Sequence, residues 1–178
     1  DVVRDDICGA GLSFDEGLRA LDQSQSKPPR LPLATQELSA YGCNMAFRAA
    51  DVGDLRFDER LPLYGWQEYV DFSTQVGRRG QIIRLNTLRG VHLGIKSGRV
   101  SGVRFGYSQI VNPLYLIRKG TVPPRKGLAL MARNVVANVT RSIWPEAYID
   151  RRGRLRGNLL AAYHVLQRRI EPEHILNL

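Results

Sequence analysis

YGWQEYVDFS, Tyr64–Ser73, continued by TQVGRRG to Gly80, decides how the rest of the chain is read. The pattern predicts a helix beginning near Gly65 and covering Trp66–Val76. Val70, Phe72 and Val76 are its packing positions, and Gly77 and Gly80 end it. Glu68 and Asp71 lie three apart and so share one helix face. Both fall in the first turn, where the helix dipole favours carboxylates. Tyr64 and Trp66 precede them, and their rings suit core packing. Paired carboxylates beside aromatics suit general-base work on a hydroxyl; they equally suit a helix cap or a pair with an arginine.

Upstream, YGCNMAFR (Tyr41–Arg48) is half apolar and of buried-strand length, and residues 49–64 form a turn-rich connection containing FDERLPLYG. Ser13, with Glu16 three residues on and Phe14, Leu18 and Leu21 at helical spacing, predicts a capping box opening a short helix. Residues 1–12 and 23–36 read as loops, the second from its Ser, Gln, Pro and Lys content. Downstream, QIIRL and RGVHLGI are strand-length runs within 81–93, and GIKSGRVSG (94–102) is a glycine-rich loop. Residues 103–118 are apolar around Pro113, which is expected to kink or break a helix. Helical patterns over 127–143 and 157–169 flank a basic turn, DRRGRLR (150–156), and Glu171–Leu178 adds a last turn or two. The order describes an α/β piece followed by a helical, basic tail from about residue 117.

At 178 residues and 43% hydrophobic content the chain can bury one core. No apolar run approaches the roughly 20 residues of a membrane-spanning helix, and the charged start, Asp1–Asp6, is unlike a signal peptide. Two cysteines, Cys8 and Cys43, are too few for a disulfide scaffold and predict reduced thiols and a cytoplasmic location. The net charge of +9 comes from residues beyond Arg78, since acids outnumber bases over 1–75. Such a bias suits nucleic acid, anionic lipid or phosphorylated ligands. Nucleic acid is not expected: aromatics do not interleave with the basic residues, and no helix-turn-helix or zinc-finger spacing occurs.

GCNMAFR (Gly42–Arg48), FDERL (Phe57–Leu61), YGWQEYVDFS, and GVHLG (Gly90–Gly94) with GRVSGVRFGYSQIVNPLYLIRKG (Gly98–Gly120) stand in one order and spacing. Over residues 41–120 the chain resembles bacterial family-two glycosyltransferases of the GT-A type, on their acceptor-side half. The resemblance implies an α/β fold, the C-terminal portion of a GT-A (Rossmann-like) domain over 1–116, with a basic helical extension over 117–178. It implies inverting sugar transfer from a nucleotide-sugar donor to a glycan or lipid-linked acceptor, in exopolysaccharide or cell-surface polysaccharide synthesis. The family's donor-binding half, with its βαβ start and D-x-D metal motif, is not found. Asp5 and Asp6 are acidic but no apolar strand precedes them. A Mg or Mn ion is implied, with its main motif in that absent half.

The family's base is commonly the Asp after the Glu, and here that position is Tyr69, a poor base with a reference pKa of about 10. Glu68 is therefore the first expectation for the base and Asp71 the second. His92 is read either as a metal or diphosphate ligand or as a core residue. Lys96, Arg99 and Arg104 flank the glycine-rich loop and suit a diphosphate clamp or a solvated loop. Tyr64 and Trp66 would hold the acceptor. The basic tail suits an anionic membrane surface, which would make the protein peripheral at the inner face of the plasma membrane, or a solubilising face. Tyr69 and the missing donor half also support a non-catalytic sugar-binding or interaction module.

Overall fold

The computed structural model describes residues 12–26, 32–88, 90–94 and 100–178. It is a mixed α/β protein, mostly helical, with one small antiparallel sheet. In chain order the elements are α1 Phe14–Gln25, β1 Ala34–Glu37, α2 Ala49–Val52, α3 Glu68–Val76, β2 Ile82–Leu85, α4 Gly102–Lys119, α5 Pro124–Arg141 and α6 Arg151–Leu166. A 3-10 turn over Pro172–Asn177 follows. β1 pairs with β2, Ala34 opposite Leu85 and Glu37 opposite Ile82. Among the described residues no helix is long and apolar enough to cross a membrane.

α4, α5 and α6 form the centre. Ile117 packs on Gly127 and Gln109 bonds Asn138, so α5 runs antiparallel to α4. Asp150 meets Gly102 and His164 meets Tyr107, so α6 runs parallel to α4. The α4–α6 crossing is glycine-lined. A Cβ at Gly106 would overlap the Arg154 carbonyl, and one at Gly157 the Val103 carbonyl. Tyr107, Ile110, Val111, Ala161 and Ile175 fill one cluster; Leu61, Leu116 and Val122 fill a second. Each fully buried apolar side chain contributes about 1.5–3 kcal/mol.

Inside the bundle a polar chain replaces apolar packing. Asn138 donates to Gln109 and to Asn158, both at 2.8 Å, and Asn158 donates to the Gly106 carbonyl at 2.7 Å. Arg151, 8% exposed, is held by Glu146. That pairing holds the Glu146 carboxyl down to about 2, with Arg141 adding to it.

The Ser13–Glu16 capping box forms as expected. Several local expectations change. Tyr41–Arg48 is not a strand; only an isolated Tyr41–Asn44 bridge forms there. Ala34–Glu37, inside the expected loop, is β1. Residues 90–94 of the RGVHLGI run are irregular. DRRGRLR is the start of α6, capped by Asp150, whose side chain accepts from the Gly153 N–H at 2.7 Å. α4 continues through Pro113, whose ring is fully buried, because the surrounding core offsets the one backbone hydrogen bond that proline removes. α4 also runs across the 116/117 position where the basic extension was expected to begin.

Candidate functional site

The motif segments converge on Phe72, 5% exposed. Phe57 stacks on it at 4.3 Å between ring centroids, and Phe47 meets it edge-on at 5.5 Å. Ala40 N–H donates to the Ser73 hydroxyl at 3.0 Å, anchoring the start of the Gly42–Arg48 segment to α3. Gly42 lies against the Tyr69 ring, leaving no room for a Cβ, and Tyr41 meets that ring edge-on at 6.3 Å.

The turn into α3 is strained. Leu63, Gly65 and Gln67 all have positive φ, at 61°, 56° and 77°, and two of the three are not glycine. That path folds the Glu68 carboxylate back over Gly65, where a Cβ would overlap it. Glu68 is half-buried, and its carboxylate makes no hydrogen bond or ion pair among the described residues. Burial alone pushes its carboxyl above the usual range. Tyr64, 61% exposed, and Trp66 flank this turn, and both rest on Phe105 of α4, at 5.7 and 5.9 Å between centroids. The Arg154 guanidinium also lies against the Phe105 ring, 4.4 Å from its centroid. Asn112 donates to the Trp66 carbonyl at 2.9 Å, fixing the turn against α4.

Asp71 has a different fate. It is wholly buried, and its Oδ2 accepts from Lys119 at 2.7 Å and from Gln75 at 3.0 Å, while Oδ1 has no partner. Lys119 also donates to Asp58 at 2.5 Å, and Asp58 accepts from the Tyr115 hydroxyl at 2.7 Å. Burial would raise the Asp58 carboxyl, but the Lys119 and Tyr115 hydrogen bonds outweigh it and hold it below the usual value.

Tyr64, Trp66 and Glu68 are thus brought together, and Asp71 is occupied elsewhere on the same helix. Arg104, in the first turn of α4, donates to the Leu178 backbone oxygen at 2.8 Å. Lys96 and Arg99 lie outside the described residues, as do Asp5, Asp6 and Cys8. Cys43 is exposed. His92 is exposed in the irregular 90–94 segment. Among the described residues no group of three or more His, Cys, Asp or Glu could hold a metal. The resemblance places the main motif for its divalent cation in the donor-binding half; of the residues here it offers only His92, and Asp71 is held by Lys119.

Sequence reasoning missed Phe105, whose only signal was an aromatic pair, FGY, in the first turns of α4. It also missed Lys119, which stands 48 residues from Asp71 with nothing local to link them. An open cleft of about 510 Å³ beside Lys119, lined in part by Arg60, Tyr115, Arg118 and Arg168, contains none of the predicted site residues. No protein-family model matches the chain, and no curated protein or solved structure matches it significantly.

Proposed function

We propose that the chain is the acceptor-side part of a sugar-transfer enzyme of the family-two, GT-A type, with residues 1–116 belonging to that domain and 117–178 extending it. The observation that carries this reading is Glu68: a half-buried carboxylate without a partner among the described residues, folded over Gly65 in a strained turn that also carries the Tyr64 and Trp66 rings. Aromatic faces suit the C–H face of a pyranose, and a carboxylate raised toward neutrality is matched to taking a hydroxyl proton. In the proposed step the acceptor oxygen bonds to the anomeric carbon of a nucleotide-sugar. The bond from that carbon to the nucleoside diphosphate breaks, and the hydroxyl proton passes to Glu68. No part of the step is assigned to Asp71, because its partners hold it in the core. The acceptor class is a glycan or lipid-linked glycan. A diphosphate clamp falls to Lys96, Arg99 and Arg104 of this chain, and the main metal motif to the donor-binding half that the resemblance implies.

The same Asp71 pairing, with Tyr69 at the expected base position, favours a second reading: a sugar-binding module without catalysis. Calorimetric titration separates the readings. Oligosaccharides are titrated first, then UDP-, GDP- and dTDP-sugars with and without Mn²⁺, into the chain and its Trp66→Ala and Glu68→Gln variants. Oligosaccharide binding lost in Trp66→Ala and kept in Glu68→Gln supports the site. Product formed from a nucleotide-sugar by the parent chain and not by Glu68→Gln supports the enzyme. Binding without turnover supports the module. A folded chain that binds neither sugar nor nucleotide-sugar refutes both.

A further inference from the structure

α6 buries mostly small and polar residues. Arg151, Gly153, Gly157, Asn158, Ala161 and His164 are buried and Leu160 and Val165 rest on the core, whereas Leu159 and Leu166 are 64% and 84% exposed. Small residues at the helix contact and leucines facing away are the pattern of helices that pack in apolar surroundings, where burying leucine against protein gains nothing over leaving it outside. The polar chain of Gln109, Asn138 and Asn158 across the bundle fits the same logic, since each polar group is satisfied within the protein.

α5 has two apolar faces. Met131 and Val135 pack on the core, while Leu128, Ala132, Val136 and Val139 fall on another face by helical spacing, and all four are exposed. Asn138 of α5 touches Asn158 and Arg151 of α6, which places the seam between the two helices. Because they run antiparallel, the exposed apolar positions, which lie on the same rotational side of the seam in each helix, open to the same side of the bundle. Just past the end of α5, Ile143 and Trp144 are 62% and 84% exposed.

The charges select the occupant. Neither α5 nor α6 contains an Asp or Glu. The two acids between them are both engaged, Glu146 by Arg141 and Arg151, Asp150 as the cap of α6. Arg125, Lys126, Arg133 and Arg156 are exposed. An apolar strip edged only by cations, with an exposed tryptophan, matches an anionic lipid headgroup layer over acyl chains. A nucleic acid would leave the leucines and valines unused. We infer that the outer faces of α5 and α6 dock on an anionic lipid bilayer, lying in its interface without crossing it. The inference is independent of the chemistry at Glu68.

The test is co-sedimentation of the full chain with phosphatidylcholine vesicles, with and without phosphatidylserine. Binding is expected only to the phosphatidylserine vesicles. Arg125→Gln/Arg133→Gln should weaken it about thirtyfold, the effect of two basic residues at such a surface. Trp144→Ser should weaken it as well, and at its exposure it leaves the fold intact should the double variant melt early. Arg19→Gln/Arg48→Gln, which removes the same charge elsewhere, should bind as the parent does. Absence of binding to phosphatidylserine vesicles, or an equal loss in the Arg19/Arg48 control, overturns the inference. So does a dimer in sedimentation velocity that Trp144→Ser dissolves, because a second copy would then cover the face.

Discussion

Replacing Lys119 with Met tests the distinction between the two carboxylates of α3. Methionine keeps the length and apolar stem of lysine and removes only the ammonium. Asp71 then keeps a single hydrogen bond, from Gln75 at 3.0 Å, while wholly buried with Oδ1 already unpartnered. Breaking a buried pair by removing one partner costs about 3–5 kcal/mol, because an uncompensated charge stays in low dielectric. The Lys119 side chain is 27% exposed, which places the expected loss toward the lower end. For a chain of this size each kcal/mol lowers Tm by about 2–4 °C, so the variant should melt roughly 6–20 °C below the parent. Asp71→Asn in the Lys119→Met background should recover much of the loss, since the amide carries no charge to strand. Asp71→Asn alone should cost less than Lys119→Met, because Lys119 retains Asp58. Thermal and urea unfolding of the four chains gives the coupling directly. A Lys119→Met chain within 1 kcal/mol of the parent would refute the reasoning, as would an Asp71→Asn change that adds to the loss.

Glu68→Gln should reduce transfer by about 10²–10⁴ while leaving the folded state equally or slightly more stable at neutral pH. The sign follows from its raised carboxyl: that stability contribution is present at low pH and is lost as pH rises from 4.5 through the folded value, and Gln removes the loss. The acid limb of the transfer rate should accordingly lie above 4.5, and a limb at or below that value would exclude Glu68 as the base. Glu146 runs the other way. Its carboxyl is held at about 2, so stability is present above 4.5 and falls as pH drops toward 2. Acid unfolding of Glu146→Gln should show a shallower pH dependence in that window, the difference being about 1–3 kcal/mol after solvent screening. Gly157→Ala should destabilise by about 1–3 kcal/mol or more in urea, because the added methyl meets the Val103 carbonyl and the Tyr107 backbone rather than a side chain that can swing away. Asn138→Ala should cost about 1–3 kcal/mol for each polar group it strands among Gln109, Asn158 and Arg151.

Local signals carried the helices that announce themselves. Ser13 and Glu16 cap α1, and the apolar period marks α3 and α5. α6 was legible only from its middle. Its first turns, RRGRLR, hold little apolar content: Gly153 sits against the Asp150 cap, and Gly157 just beyond lies on the α4 backbone, a use that periodicity does not register. Pro113 was read by its local rule, which tertiary burial overrode. Tyr41–Arg48 looked like a strand because it is half apolar, yet its Phe47 ring packs on Phe72 and no strand lies beside it to pair. The same limit governs the site. Glu68 and Asp71 are three apart on one helix with the same chemistry, and sequence spacing gives them one role between them. What separates them is α4, whose last residue, Lys119, meets Asp71 and whose first turn sets Phe105 against the Tyr64 and Trp66 rings. One carboxylate is thereby tied into the core and the other left unpaired at the surface turn. A reaction that needs a base with a free lone pair then has a single choice on this helix, and it is Glu68.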